Sequence, residues 1–299
     1  MNFRYLGKSI IFQPATFLSE LFEDLKKDIK AKSYSSKYYS VWISGLPKSG
    51  TTLVEEILKC LPYVKIDRSA LRNFYKMDEE HIVNYPEKYL NCFPKKKFTY
   101  VKTHLKYNEN FLLTLNKKNF KTFVIFRDIR DVMISRYYHI MSDEKHWQHK
   151  LLKNLPEKDG FIKSLYFKTD LYPAKKFQEP IKYYFNWIKD WLKAEQNKNV
   201  KFLWYEDYIN NPIFFISEIL KFLNFSEFDP NRIENEMFKR REREKEIPLN
   251  KKLNRIGKNV STFRLGSSGY WKKIFDEKTS KFFFENLPGD IQEVLNKKI

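Results

Sequence analysis

Apolar positions fall along this chain in two rhythms. Short, almost continuous runs occur at residues 41–43, 97–103 (KFTYVKT), 121–126 (KTFVIF) and 200–205 (VKFLWY). Runs of that length, rich in β-branched and aromatic residues, predict strands. The third is continuous enough for a parallel sheet covered on both faces. The second rhythm is helical. It sets Leu53, Val54, Ile57, Leu58 and Leu61 on one face after the first run, and suggests a short helix at 108–115 after the second. After the third run it places Ile129, Val132, Met133, Arg136, Tyr137 and Ile140. It returns at 181–194, where Trp187, Ile188 and Trp191 read as a core stripe, and after Pro212, with Ile216, Ile219, Leu220 and Leu223 inward. Strands alternating with helices predict an α/β fold of three layers, a central, mostly parallel sheet flanked by helices.

The remaining stretches are less regular. Residues 14–30 carry a helical stripe, and a polar break at 33–36 precedes the first strand. Residues 66–93 have no clear period and are expected to be loop-rich, with His81 at the surface. Residues 141–179 are polar with scattered aromatics, long for a plain connection, and are expected to form a flexible lid or substrate region. The alternating charges of 239–246 (KRREREKE) predict an exposed helix face, and 251–269 is basic and turn-rich. No repeat or linker divides the chain. One domain is expected over 1–299, with a core at about 38–275 and a helical closure at 276–299.

The chemistry concentrates where the first strand breaks. Gly45-Leu46-Pro47-Lys48-Ser49-Gly50-Thr51-Thr52 joins a strand to a helix start, an arrangement whose inward N–H groups and helix dipole hold phosphate. Against the pattern G-x-x-x-x-G-K-[ST], Gly45, Gly50 and Thr52 match, Thr51 stands in the lysine's place, and the lysine sits within the loop at Lys48. The fold is therefore P-loop-like, but the lysine reaches a different oxygen from that of an ordinary ATPase. A Mg-dependent nucleotide kinase is the competing enzyme, and Thr51 argues against it.

Charge and composition widen the choice of partners. The chain of 299 residues holds 56 Lys and Arg against 37 Asp and Glu, a formal charge of +19. That field favours anionic ligands, nucleic acid or an acidic membrane surface. The lysines are spread along the chain and no recognised nucleic-acid-binding motif accompanies them, so a basic nucleic-acid-binding protein is the alternative of a different class. Cys60 and Cys92 lack zinc spacing; Cys60 reads as a buried thiol, and a reducing compartment is expected. With no sustained apolar leader or bilayer-length run, the expected setting is a soluble, cytoplasmic protein.

The residues just past each strand narrow the function. In open parallel sheets, ligands bind outside the carboxyl ends of the strands. There the sequence sets the Lys48 loop, Lys102 with His104, Arg127 with Ser135 beyond it, and Tyr205. Five stretches then fit together: GLPKSGTT, KTHL, RDIRDVMIS, WYED and RLGSSGYWK. In that order and spacing, over about residues 40–275, they resemble the cytosolic sulfotransferases.

The resemblance implies 3′-phosphoadenosine 5′-phosphosulfate (PAPS) as donor and 3′-phosphoadenosine 5′-phosphate (PAP) as product; because a sulfuryl group carries less negative charge than a phosphoryl group, lysines are expected to suffice with no metal. It implies that Lys48, Ser49, Gly50, Thr51 and Thr52 hold the 5′-phosphosulfate. Arg127 and Ser135 would bind the 3′-phosphate, joined by Arg264, Leu265 and Gly266 of the late loop. Tyr205 would contact the adenine, and His104 would be the general base. On physical grounds Lys48 would stabilise the leaving phosphate and Lys102 the sulfuryl oxygens.

Plainer roles stand beside these. His104 could be a satisfied structural histidine, Arg127 could pair with Asp128 or Asp131, Ser135 could be incidental to its helix, and Tyr205 could be ordinary core. The chain also departs from the family: Leu53 replaces a common tryptophan, Leu265 a lysine and Tyr270 an aspartate, and the short dimer motif fails at 272–281. The acceptor, a small molecule, lipid or carbohydrate, and the oligomeric state are not legible, and peripheral membrane contact stays compatible.

Overall fold

The computed structural model describes residues 40–61, 64–67, 79–91, 93, 98–144, 146–166, 169–171, 176–246, 268–285, 287–289 and 293. The expected helix at 14–30, the polar break at 33–36, Cys92 and the late-loop residues Arg264, Leu265 and Gly266 lie outside them.

A five-stranded parallel sheet organises the rest. Strand β1 (Ser40–Gly45) feeds helix α1 (Thr51–Cys60) and a short strand β2 (Lys65–Ile66). Helices α2 (Glu79–Asn84) and α3 (Pro86–Leu90) precede β3 (Thr99–Thr103). Helix α4 (Glu109–Lys117) leads to β4 (Phe120–Phe126), and helix α5 (Ile129–Ser142) comes next. Then come α6 (His149–Leu152), α7 (Glu157–Tyr166) and an antiparallel pair, β5 (Thr169–Leu171) with β6 (Lys176–Gln178). Helix α8 (Pro180–Leu192) leads to β7 (Val200–Trp204), α9 (Tyr205–Asn210), α10 (Pro212–Phe222) and α11 (Pro230–Glu246). Helices α12 (Trp271–Ile274) and α13 (Glu277–Glu285) close the described chain.

The strands stand in the order β2-β3-β1-β4-β7. After β1 the chain moves toward β3; after β4 it moves the other way, toward β7. The crevice between the carboxyl ends of β1 and β4 is therefore the topological switch point, where such sheets bind ligands.

Period-two alternation supplies both faces of the sheet. Trp42, Val101, Val124 and Phe126 join α4, α5 and α8 in one buried cluster. Val41, Ile43, Phe123 and Ile125 join α1, α10 and α11 in the other. Leu53 is buried in this second cluster, so its side chain is core rather than crevice wall. Local sequence fixes several helix starts: the side chains of Asn108, Asp128 and Asn211 cap α4, α5 and α10, and Pro212 opens α10.

Four sequence expectations change. The strand expected at 200–205 ends at Trp204, and Tyr205 opens α9, because Glu206 and Asp207 just beyond it favour a first helical turn. Residues 141–179, in which no element was expected, carry α6, α7 and the β5–β6 pair: Leu152, Phe161 and Leu165 give that stretch buried anchors. Residues 66–93 hold α2 and α3, whose buried Ile82, Tyr89 and Leu90 pack into the core. Cys60, at the end of α1, is half-buried rather than buried. Among the described residues no helix is long and apolar enough to cross a membrane.

Candidate active site

The loop after β1 packs tightly against its neighbours at both glycines. A Cβ on Gly45 would stand 2.6 Å from Ile125, Ser49 and Thr51 side-chain atoms, and one on Gly50 would stand 2.8 Å from the Tyr205 ring. Gly50 has φ +107°, and Lys48, without a glycine's freedom, has φ +77°. Such a residue costs about 1 kcal/mol of backbone strain, which the surrounding loop must hold in place. The first helical hydrogen bond runs from Leu53 N–H to the Gly50 carbonyl (2.8 Å), so the Thr51 and Thr52 amides lie in the unpaired first turn. Ser49 Oγ is buried and has no hydrogen-bond partner among the described residues. An orphaned hydroxyl and unpaired first-turn amides at a helix start are what a phosphate-bearing group needs.

The end of β3 forms the second wall. His104 Nδ1 lies 2.6 Å from the Gly45 carbonyl oxygen. A carbonyl accepts only, so Nδ1 carries the proton and Nε2 is the basic nitrogen. Burial lowers the His104 pKa to about 4 from 6.5, Lys102 and Lys48 push it the same way, and the Gly45 carbonyl opposes them. The imidazole is neutral at physiological pH. The indoles of α8 fix this corner: Trp187 Nε1 donates to the carbonyls of His104 (3.3 Å) and Leu105 (3.1 Å), and Trp191 Nε1 to Leu105 (3.1 Å). The tryptophan stripe is core, as its spacing predicts, and it also holds the strand end that carries the histidine. Lys102 Nζ donates to Thr52 Oγ1 (3.3 Å) and to the carboxylate of Glu55.

The end of β4 forms the third wall. Arg127 Nη1 donates to the Lys48 carbonyl (3.2 Å), and the guanidinium lies 4.5 Å from the centre of the Tyr205 ring. Tyr205 is buried between Arg127 and Gly50, and burial raises its pKa. It supports the guanidinium and the loop together. Ser135 is mostly buried on α5.

Three carboxylates beside Arg127 are engaged. Asp128 caps α5 and takes a forked pair of bonds from Arg130, whose guanidinium lies 3.7 Å from the centre of the Trp271 ring. Asp131 accepts from the amides of Gly269 (2.6 Å) and Trp271 (3.0 Å) and from Ser268 Oγ (3.4 Å). Glu206, whose pKa burial raises, accepts from the Asp128 amide (3.0 Å) and Ser268 Oγ (3.2 Å). Asp131 and Glu206 thus tie the segment just after the late loop to the sheet's carboxyl edge.

The crevice brings together Lys48, Ser49, Gly50, Thr51, Thr52, Lys102, His104, Arg127 and Tyr205. Ser135 is buried two turns into α5, and none of the contacts described above ties it to that group. Sequence reasoning missed Glu55, Asp131 and Glu206. Glu55 had a signal: a carboxylate three residues past Thr52, among the apolar positions of the helix. Asp131 stood out only as a possible partner for Arg127.

A parallel sheet with a strand–loop–helix turn, several cations and a neutral imidazole at its switch point is a phosphate-loop-like α/β arrangement. The chain belongs to the sulfotransferase family: the sulfotransferase domain matches residues 39–287. It is 28% identical over 208 residues to sulfotransferase 1 family member D1 of Mus musculus, covering 65% of this chain and 62% of that protein. It is 25% identical over 236 residues to sulfotransferase 1E1 of Rattus norvegicus, covering 71% of this chain and 66% of that protein. The chain thus spans just under two thirds of the length of these relatives. Its fold is similar to that of mouse sulfotransferase SULT7A1 complexed with PAP, with a TM-score of 0.57 and 19% identity over 86% of this chain and 85% of that one.

Proposed function

We propose that the protein is a PAPS-dependent sulfotransferase, moving a sulfuryl group to a hydroxyl or amine acceptor by in-line displacement. The observation that carries this is the single crevice holding the Lys48 loop, Arg127 against the Lys48 carbonyl, and His104 against the Gly45 carbonyl. Membership of the sulfotransferase family supports it, as does the PAP in the mouse fold neighbour. The matched region, 39–287, is compatible with one domain.

In this reading Lys48, Ser49, Gly50, Thr51 and Thr52 hold the 5′-phosphosulfate, and the orphaned Ser49 hydroxyl gains its partner. Arg127, Ser135, Arg264, Leu265 and Gly266 hold the 3′-phosphate. Tyr205 backs Arg127 and contacts the adenine. The donor supplies an activated sulfuryl group with a phosphate leaving group. Lys48 stabilises the charge that develops on that phosphate, and Lys102 orients the sulfuryl oxygens. His104 Nε2 takes the proton of the acceptor hydroxyl, in the tautomer that the Gly45 carbonyl imposes. The cations needed for these tasks come from the chain itself, so donor binding is proposed to need no metal. The acceptor is a small molecule, lipid or carbohydrate.

Thermal stabilisation tests the reading. PAP is expected to raise Tm equally with and without EDTA, and Arg127→Ala to abolish most of the shift. A response to ATP that requires Mg²⁺, with none to PAP, would overturn it in favour of a nucleotide kinase. Binding of nucleic acid with a steep salt dependence, again without a response to PAP, would favour the basic binding protein.

A further inference from the structure

The proposed transfer chemistry leaves Glu55 without a task. It lies on α1, one turn beyond Thr52, and is 3% exposed. Its Oε2 accepts from Lys102 Nζ, while Oε1 stands 3.4 Å from the Tyr100 hydroxyl and 3.5 Å from Lys59 Nζ. An apolar residue would suit this helix face, beside Val54 and Leu58, without the cost of burying a carboxylate. The ammonium it holds is about a quarter exposed, with a side-chain accessibility of 28%.

A lysine head group has three N–H donors in fixed tetrahedral relation. For Lys102 one is spent on Glu55 and a second on Thr52 Oγ1. With two directions set, the third is set as well, and it has no protein partner among the described residues. Thr52 belongs to the phosphate loop, so this remaining donor stands beside the place assigned to the sulfuryl end of the donor. Pairing with Glu55 also removes most of the net charge while keeping a directed N–H. That suits a sulfonate, with one charge spread over three oxygens, better than a phosphate dianion.

We infer that Glu55 is a positioning residue: acting through Lys102, it fixes the donor's sulfuryl group and makes the site distinguish the sulfated donor from its desulfated product. The inference rests on the crevice being a PAPS site.

Four proteins test it: wild type, Glu55→Gln, Lys102→Met and the double variant, with PAP affinity and PAPS steady-state kinetics measured on each. Both single variants are expected to raise KM for PAPS or lower kcat by about tenfold, the effect of one charge-assisted hydrogen bond, with PAP affinity changed by less than about twofold. The double variant is expected to match Lys102→Met alone, because the two residues act as one unit. Glu55→Asp, with the charge kept but drawn back, is expected to fall between wild type and Glu55→Gln. Three results overturn the inference: Glu55→Gln kinetics equal to wild type, equal losses of PAP and PAPS affinity, or additive effects in the double variant. Failure of the wild-type protein to bind PAP overturns the donor assignment itself, and the inference with it.

Discussion

The two flanks of the crevice solve opposite problems. On the β3 flank every reactive group is tied to another part of the fold: His104 to the Gly45 carbonyl, its own carbonyl to Trp187, Lys102 to Glu55 and Thr52. On the β4 flank Arg127 contacts a ring face and a backbone carbonyl, and the acids near it have contacts of their own. Asp128 serves Arg130, Asp131 serves the amides of residues 269 and 271, and Glu206, near enough to feel the Arg127 charge, serves the Asp128 amide and Ser268. A proton acceptor must be placed closely, which calls for saturated partners. Arg127 must be aimed at an anion, and a ring face and a backbone carbonyl give it that direction. Arg130, within one turn of chain, is locked by Asp128 and Trp271 and is structural.

The largest expected effect breaks the β3 flank. His104→Asn should lower kcat by about 10²- to 10⁴-fold, the usual range for a general base, while leaving PAP affinity unchanged. Steady-state kinetics beside PAP titration check it; a parallel loss of PAP binding would make His104 a structural residue.

The same histidine gives a pH signature. Its folded pKa of about 4 lies below the ordinary 6.5, so between those values the unfolded chain binds the proton first. Its contribution to stability is fully present above pH 6.5 and is lost as the pH falls toward 4. Chemical denaturation across that window should show a shallower pH dependence in His104→Asn than in wild type.

On the β4 flank, Asp131→Asn should cost about 1–3 kcal/mol, because a buried carboxylate that accepts two amides becomes an amide with one acceptor oxygen. PAP affinity should fall with it by about tenfold if the segment after the late loop transmits the anchor, since about 1.4 kcal/mol is a factor of ten. Calorimetric titration beside a melting curve separates the two effects; lost stability with unchanged PAP affinity would confine Asp131 to the scaffold.

The smallest effect lies where the flanks meet. Gly50→Ala places a Cβ 2.8 Å from the Tyr205 ring at a backbone φ of +107°. About 1–2 kcal/mol of strain should appear as a lowered Tm and a weaker response to PAP. An unchanged melting curve would mean that Tyr205 moves aside freely and does not brace Arg127.

Much of this protein was legible in its sequence. Alternation of apolar runs with helical stripes predicts a parallel α/β sheet, because a strand buried on both faces must be nearly continuous in apolar residues. The strand ends could be found because a strand breaks where a loop begins, so Lys48, His104 and Arg127 stood out by position. The helices within 141–179 were not legible because they are short and anchored by few residues, such as Leu152 and Phe161, too few to set a period.

Sequence determined which groups would stand at the carboxyl edge of the sheet, since that comes from local order along the chain. Tertiary structure alone decided how they are paired: Glu55 with Lys102, forty-seven residues away, the indole of Trp187 with the carbonyl of His104, and Asp131 with the amides of Gly269 and Trp271. Hydrogen bonds and ion pairs act over a few ångströms of space. Partners so far apart in sequence meet only when the sheet and its two layers of helices have packed.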